Sequence, residues 1–232
     1  MQVQTKLEMF SVDYSRNSYH PRHQKQVRKN SRTFAIIALV LFLAVGVIFY
    51  QYKKTVMATK SLDELPIEVN LISLSPYTRS GRALKKVNGI VVHYTANPGA
   101  TAKENRDYFN SLATTHKTKA SCHFIIGLDG EIIQCIPTRE MSYASNSRNR
   151  DTISIECCHK DASGKFNRKT YRSLVLLTRA LMKKFNLSSS QVIRHYDVTG
   201  KLCPLYYVKN SDKWDNFRED LNQWSFFDYL YY

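Results

Sequence analysis

The sequence is poor in acidic residues and cysteines, and no segment of it repeats. Its 34 Lys and Arg stand against 19 Asp and Glu, for a formal net charge of +15. The five cysteines are odd in number and Cys157 and Cys158 are adjacent, so we expect buried free thiols rather than a disulfide framework. A bridge between Cys122 and Cys135, which fall on neighbouring predicted strands, stays open.

The positive charge is spread along the chain. A nucleic-acid-binding protein needs its basic residues on one element with aromatic residues between them, and this sequence has no such element. A diffuse positive surface suits anionic polymers outside a cell better. We therefore expect no nucleic-acid partner.

One long apolar segment stands out. Residues 34–50 (FAIIALVLFLAVGVIFY) carry no charge, and a helix of this length nearly matches the roughly 30 Å hydrocarbon layer of a membrane. A core helix would show a polar face, which this segment lacks. Val56-Met57-Ala58 resembles a signal-peptidase site, but the leader before the segment is long for a signal peptide. We predict a transmembrane helix at 34–52, with secretion after cleavage near Ala58 as the alternative.

Basic residues indicate how this helix is oriented. The first 33 residues lack apolar periodicity and read as a disordered basic tail. Their basic residues are Lys6, Arg16, Arg22, Lys25, Arg28, Lys29 and Arg32, whereas Lys53, Lys54 and Lys60 follow the segment. This bias places the amino terminus in the cytoplasm and the rest of the chain outside a cell membrane that it crosses once.

Strand-like and helix-like patterns alternate after a polar stretch interrupted by Pro66, Pro76 and Gly81. Strands are predicted at 87–93, at 124–128 and 131–136 around the hairpin signal Asp129-Gly130, and at 152–157. Helices are predicted from a capping box at Thr101 to about Leu112, at 169–185, and after a Ser211 cap. The expected fold is α/β, a mixed central β-sheet flanked by helices and preceded by a single transmembrane helix. Within the polar stretch, residues 65–72 are expected to dock on this fold.

A chemically dense segment lies at 194–204, RHYDVTGKLCP. His195 and Cys203 are zinc-ligand types, and catalytic zinc sites use three protein ligands with one open position. His93, at the end of a predicted strand, is the candidate third ligand, although a lone histidine is more often a satisfied polar group. Glu156 lies on another strand, where burying its carboxylate without a partner would be costly, so a function such as a general base would explain it. The alternative is a strand residue that faces solvent.

Four segments in colinear order carry a family resemblance: HYTANPG at 93–99, SCHF at 121–124, ISIE at 153–156 and HYDVTGKLCP at 195–204. Together they resemble the zinc-dependent type-2 N-acetylmuramoyl-L-alanine amidases, a family that includes phage amidase endolysins and peptidoglycan-recognition proteins. The similarity covers residues 85 to 224. It implies a zinc amidase domain at 85–225, with a linker at 53–84 and an aromatic carboxyl-terminal tail at 226–232.

The resemblance implies roles for individual residues. His93, His195 and Cys203 are the expected zinc ligands, Glu156 the catalytic carboxylate and Lys201 the catalytic cation. Several members carry a catalytic tyrosine where this sequence has Cys122, so the base is assigned to Glu156 alone, and other members place aspartate where Cys203 stands. The candidate substrate-binding residues are Asn97, Ser145, Asn146 and His123, with an ordinary surface loop or a buried histidine as the alternatives.

The expected function is hydrolysis of the amide bond between N-acetylmuramic acid and the L-alanine of the peptidoglycan stem peptide by a membrane-anchored zinc enzyme. The alternative on the same fold is a peptidoglycan-binding receptor without turnover. A structural zinc site is a third alternative, which four protein ligands would indicate.

Overall fold

The computed structural model describes residues 21–58 and 60–223. The chain divides into two compact units between Phe49 and Tyr50. The predicted tail at 226–232 and residues 1–20 of the predicted basic tail lie outside the described residues. The helices are α1 Pro21–Ala58, α2 Ala102–Thr115, α3 Arg168–Phe185, α4 His195–Thr199, α5 Leu205–Lys209 and α6 Ser211–Gln223. The strands are β1 Ile67–Val69, β2 Gly89–Tyr94, β3 Phe124–Ile126, β4 Ile132–Gln134, β5 Thr152–Cys157 and β6 Val192–Arg194.

Helix α1 contains the apolar segment. Thr33–Gln51 has a mean hydropathy of 2.7, and its side chains are exposed, Phe42 to 77 %. By length and composition this part of α1 can cross a membrane, a test that a signal sequence near the amino terminus also passes. The helix begins at Pro21 rather than near Phe34, so residues 21–33 are helical and not the disordered tail expected. Extending an existing helix is far cheaper than nucleating one, so polar flanks with good helix formers join it.

A six-stranded sheet forms the centre of the second unit, in the order β1-β4-β3-β5-β2-β6. Only β3 and β4 pair antiparallel, as the hairpin around Asp129-Gly130 predicts, and every other neighbouring pair is parallel. The expected mixed sheet is therefore confirmed.

The predicted linker at 53–84 is wrong from residue 61 onward, because residues 61–84 belong to the domain. Strand β1 pairs with β4 in parallel, and the backbone N–H of Ile72 donates to the carbonyl of Cys135 at 3.0 Å. Leu62, Leu65 and Ile72 are buried. This segment covers the edge of β4, whose backbone groups would otherwise lack partners. The expected docking of residues 65–72 on the domain is therefore confirmed.

Side-chain alternation gives the sheet two different faces. Ile90, Val92, Ile153 and Ile155 point to one cluster, which also contains the buried residues of α3 and α6. Because successive side chains of a strand point to opposite faces, His93 and Glu156 point to the other face, where α2 lies. All five cysteines are buried free thiols.

The helices that cover these faces begin where the sequence predicts. Thr101 and Glu104 form a reciprocal capping box at the start of α2, and the Asn167 side chain caps α3 by accepting from the backbone N–H groups of Lys169 and Thr170. Helix α6 starts at Ser211 itself rather than one residue after it.

Candidate metal centre

Strand β2 brings the first histidine to the carboxyl edge of the sheet, between two parallel neighbours. His93 lies opposite Glu156 of β5, and Val92 lies opposite Arg194 of β6. Since the next residue of each strand follows in register, His195 leaves β6 beside His93. The crevice at the carboxyl ends of parallel strands is where open α/β sheets bind ligands.

The loop after β6 turns back to bring the thiol to the same place. Helix α4 ends at Gly200, whose φ of 76° is left-handed and favours glycine. The backbone N–H of Tyr196 then donates to the carbonyl of Cys203 at 2.9 Å, which closes the loop. His195 and Cys203 are thereby fixed on the same side of the loop.

The three predicted ligands converge. The ligand atoms of His93, His195 and Cys203 all lie within 4.8 Å of one another, and all three residues are buried. His93 Nδ1 is 3.8 Å from Cys203 Sγ. Tetrahedral zinc, with bonds of about 2.0 to 2.1 Å to nitrogen and 2.3 Å to sulfur, places these atoms about 3.6 Å apart. The residues therefore fit a tetrahedral ion of this size.

One loop holds a ring nitrogen of each histidine. His93 Nε2 is 3.2 Å from Ser145 Oγ, and His195 Nε2 is 2.8 Å from Asn146 Oδ1. The Asn146 amide oxygen only accepts, so His195 Nε2 carries a proton and its Nδ1 lone pair stays available. Asn149 Oδ1 in turn accepts from the backbone N–H of Ser145 at 2.6 Å and fixes the loop.

The electrostatics leave both imidazoles neutral and the thiol protonated while no cation is bound. Burial, followed by the proximity of His195 and Lys201, lowers the pKa of His93 well below its usual 6.5. Burial, with a smaller contribution from Lys201, also lowers the pKa of His195. Burial raises the pKa of Cys203 to about 12, although a hydrogen bond from the Tyr94 backbone opposes this. Neutral imidazoles are the form that ligates, and the thiol needs a cation to lose its proton.

Glu156 lies beside the ligands and does not face solvent. Its side chain is 13 % exposed, and Oε1 is 3.9 Å from His93 Nδ1. Within the part of the chain that the structure describes, Oε2 is buried without a hydrogen-bond partner. Burial raises the pKa of Glu156 to about 8, and nearby Lys201 lowers it less. A buried carboxyl with a free oxygen at a ligand cluster is suited to proton transfer.

A cavity of about 530 Å³ opens over this cluster. Lys201 lines it, and Asn105, Tyr108 and Phe109 of α2 form one wall. Sequence reasoning missed these α2 residues. Their spacing of three and four residues puts them on one helix face, but a half-polar face of this kind is indistinguishable from ordinary surface until its neighbours are known.

The four predicted substrate-binding residues lie at different positions relative to the cavity. Asn146 lines the cavity, whereas Ser145 is buried and contacts His93 instead. Asn97 is exposed and is not among the lining residues. His123 is not among the lining residues either.

His123 is fully buried away from the cavity. Its Nδ1 accepts from the Ser154 backbone N–H at 3.0 Å, and Nε2 donates to the Glu140 carbonyl at 2.8 Å. Both ring nitrogens are therefore satisfied by the fold, which is the buried-histidine alternative.

Comparison with known proteins gives the same picture. Residues 83–205 match the Amidase_2 family, described as N-acetylmuramoyl-L-alanine amidase. The N-acetylmuramoyl-L-alanine amidase CwlL of Bacillus licheniformis is 36 % identical over an alignment of 166 residues, and the match covers 66 % of this chain and 46 % of that protein. The chain thus spans about half the length of the curated relatives it matches.

Solved structures match the fold over nearly their whole length. A mutant endolysin from Bacillus subtilis shares 33 % identity at a TM-score of 0.57 and covers 67 % of this chain and 97 % of its own. The catalytic domain of XlyA shares 31 % identity at a TM-score of 0.58, covering 68 % of this chain and 99 % of its own. The family match takes in more than half of the chain and includes the three converging ligands, and the chain belongs to the N-acetylmuramoyl-L-alanine amidase family.

Proposed function

We propose that this chain is a zinc-dependent N-acetylmuramoyl-L-alanine amidase, which hydrolyses the bond between N-acetylmuramic acid and the L-alanine of the peptidoglycan stem peptide. The observation that carries the proposal is the convergence of three buried ligand atoms within 4.8 Å, beside the buried carboxyl of Glu156. Family membership and the amidases among the relatives support the same activity. Peptidoglycan is accordingly the proposed substrate.

His93, His195 and Cys203 are the residues that would hold zinc. Zinc bound there would polarise the scissile carbonyl and lower the pKa of water to about 7. Three protein ligands leave one position open, which is the arrangement of catalytic sites, whereas structural zinc has four. Within the described residues no fourth His, Cys, Asp or Glu joins the cluster.

Glu156 is the proposed general base and acid. Burial disfavours its charged form, and a dication held by the neighbouring ligands would shift it back toward the carboxylate. The carboxylate would take a proton from the attacking water and pass it to the leaving amine. Glu156 lies opposite His93 on the parallel strand β5, and this position keeps its carboxyl oxygens beside the ligand cluster.

Lys201 is the proposed electrostatic partner. It lines the cavity, and its charge lowers the pKa of His93, His195 and Glu156, so it lies near all three. A cation in this position would stabilise the oxyanion that develops when water adds to the amide carbon.

Helix α1 is proposed to anchor the enzyme in the cell membrane, with the amino terminus in the cytoplasm and the catalytic domain outside. The uncharged stretch Thr33–Gln51 and the excess of basic residues before it support this arrangement. Release after cleavage near Ala58 is the alternative, and it leaves the domain on the same side of the membrane.

The test uses the full-length protein in detergent micelles with soluble muropeptides. Release of free L-alanine amino termini is expected, chelation should stop it, and added zinc should restore it. Glu156→Gln should keep zinc and lose release. If the zinc-loaded protein releases nothing from any muropeptide yet still binds wall fragments, the activity assignment is wrong and a receptor without turnover takes its place.

A further inference from the structure

A second cavity, of about 570 Å³, lies outside the metal centre, and the two share no lining residue. The loop after β5, the start of α3, helix α5 and the start of α6 enclose it. The loop leaves the carboxyl end of β5, so this cavity opens at the same edge of the sheet as the metal centre. We call it the α3–α6 cleft. Its lining residues are Lys160, Asp161, Ser163, Lys165, Phe166, Asn167, Arg168, Tyr171, Tyr206, Tyr207, Lys213 and Asn216.

The floor of the α3–α6 cleft is aromatic and firmly packed. Phe166 and Tyr207 are buried, with ring centroids 4.9 Å apart. Tyr207 packs in turn against Trp214, at 6.3 Å. Tyr206 lies at the margin, half-buried, and meets the Tyr207 ring edge to face. Tyr206 is the ring of this group that is only half-buried, and an aromatic ring at a cavity margin offers apolar surface to a ligand.

The rim of the cleft is basic. Lys160, Lys165, Arg168 and Lys213 line it, against the single acidic residue Asp161. The carboxylate of Asp161 accepts from the Ser163 backbone N–H at 2.9 Å. The Lys165 Nζ lies 5.6 Å from the centre of the Tyr206 ring, so the charge is held over the aromatic floor.

Two helices begin at this rim. The start of α3 adds to its positive potential, whereas Lys213 at the start of α6 is paired with Asp212 at 3.1 Å. Arg168 and Lys213 lie in the first turns of α3 and α6, which have 18 and 13 residues. The amino-terminal end of a helix carries a partial positive charge. Lys160, Lys165 and Arg168 around an aromatic floor therefore favour a ligand that repeats anionic groups along an apolar-faced chain.

We propose that the α3–α6 cleft binds a phosphodiester-linked polyol polymer of the cell wall and so holds the enzyme on its substrate layer. The proposal rests on the proposed function, which places the domain at the wall. Phosphate oxygens would meet Lys160, Lys165 and Arg168, and the polyol units would lie against the half-buried ring of Tyr206 at the margin. The peptidoglycan glycan is uncharged between its stem peptides, so a run of cations matches the phosphodiester polymer better.

The test is binding of labelled poly(glycerol phosphate) by the full-length protein in detergent micelles. Lys160→Glu/Lys165→Glu should weaken binding by about tenfold or more, and the wild-type affinity should fall steeply with salt. Lys85→Glu/Lys86→Glu is the matched control, because this exposed pair changes the charge equally but precedes β2 at the opposite edge of the sheet. Circular dichroism and melting temperature verify that both variants fold.

Three outcomes would overturn the proposal. Equal losses in both double variants would mean that diffuse charge binds the polymer. If the two variants still differ in binding to a wall preparation stripped of phosphate polymer, the cleft is part of the groove that binds the glycan. An oligonucleotide of equal charge that binds more tightly, with the same dependence on Lys160 and Lys165, would make the ligand a nucleic acid. Release of L-alanine termini from soluble muropeptides, measured alongside, reports on the amidase assignment separately.

Discussion

The two histidines of the candidate metal centre depend on side chains that would not touch a bound ion themselves. Ser145 and Asn146 each hold one Nε2, which fixes both ring orientations and, at His195, the tautomer. Ser145→Ala and Asn146→Ala should therefore each weaken zinc binding by about 10- to 100-fold. Competition with a chromophoric chelator measures the affinity.

Ser147→Ala is the control for this experiment, because Ser147 is an exposed neighbour in the same loop. Its zinc affinity should match that of the wild type. Unchanged affinity in Ser145→Ala and Asn146→Ala would show that strand and loop geometry alone orient the rings.

His123 gives the fold a pH dependence of its own. Burial lowers its pKa from 6.5 to about 4, so the folded chain keeps it neutral while the unfolded chain protonates it below 6.5. The stability it contributes is full above pH 6.5 and is lost as the pH falls toward 4, by up to about 3 kcal/mol. His123→Gln lacks this titration, so its deficit in unfolding free energy should shrink over that interval.

Urea denaturation followed by tryptophan fluorescence, at steps between pH 7 and pH 4.5, measures both proteins. The comparison with the variant removes the carboxylates and the other histidines, which titrate in both. A deficit that stays constant across the interval would mean that His123 is protonated equally in the folded and unfolded chains.

The sequence locates the proposed ligands and the proposed base better than the residues that support them. His93, Glu156 and His195 follow buried strand patterns, and parallel strands must bring such positions to one edge of a sheet. The His123 ring is held by the backbone N–H of Ser154 and the carbonyl of Glu140. Every residue type has these backbone groups, so the sequence does not show that they are the partners. A local sequence pattern likewise cannot show that His123 is buried by segments far away in the chain.

Among the structural elements, the β3–β4 hairpin combines a left-handed glycine with a close contact to a neighbouring helix. Gly130 has a φ of +83°, and an added Cβ would lie 2.9 Å from the Lys169 carbonyl oxygen at the start of α3. Gly130→Ala should cost roughly 2 kcal/mol or more, since both the left-handed backbone and the contact with α3 oppose it. Denaturant unfolding gives the value.

A substitution at Gly81 distinguishes the cost of the left-handed backbone from the cost of the contact with α3. It has a similar φ of +69°, but the nearest atom to an added Cβ is a leucine methyl at an ordinary 3.6 Å. Gly81→Ala should cost only the backbone preference, about 1 kcal/mol. Equal losses at both positions would mean that the hairpin moves away from α3 at little cost.

Long periodic segments and capped helices are predictable from the sequence, as α2, α3 and β5 show. Strand β1 is not, because three residues next to Pro66 carry too little pattern to mark a strand. Its structure comes from the unpaired edge of β4, which lies more than 60 positions away in the sequence. The α3–α6 cleft is unpredictable for the same reason, since four separate segments enclose it.

At the scale of the whole molecule, zinc binding and folding should be coupled. The unfolded chain keeps His93 and Cys203 far apart, so an ion that binds only the folded domain stabilises it, by about 4 kcal/mol at free zinc a thousandfold above Kd. Chelation should therefore lower the melting temperature, and zinc should restore it. Cys203→Ser should respond to neither, and an equal zinc response in that variant would place the stabilising ion elsewhere.

The apolar part of α1 is the proposed membrane anchor of the whole molecule. Thr33–Gln51 has 19 residues, about 28 Å of helix, which is enough to span the hydrocarbon layer. A charge at its centre costs about 2.5 to 3.5 kcal/mol on insertion, whereas one at its end reaches the interface. Phe42→Arg should therefore move protein out of the membrane fraction, and Gln51→Arg should not.

Intact mass and fractionation read out this prediction. An uncleaved anchor gives the full 26.9 kDa chain in the membrane fraction, with the domain digested by protease added to intact protoplasts. A shorter chain in the medium, beginning just after Ala58, would make α1 a signal segment. In that case the basic tail would be discarded, and only wall-binding surfaces such as the α3–α6 cleft would remain to keep the enzyme at its substrate.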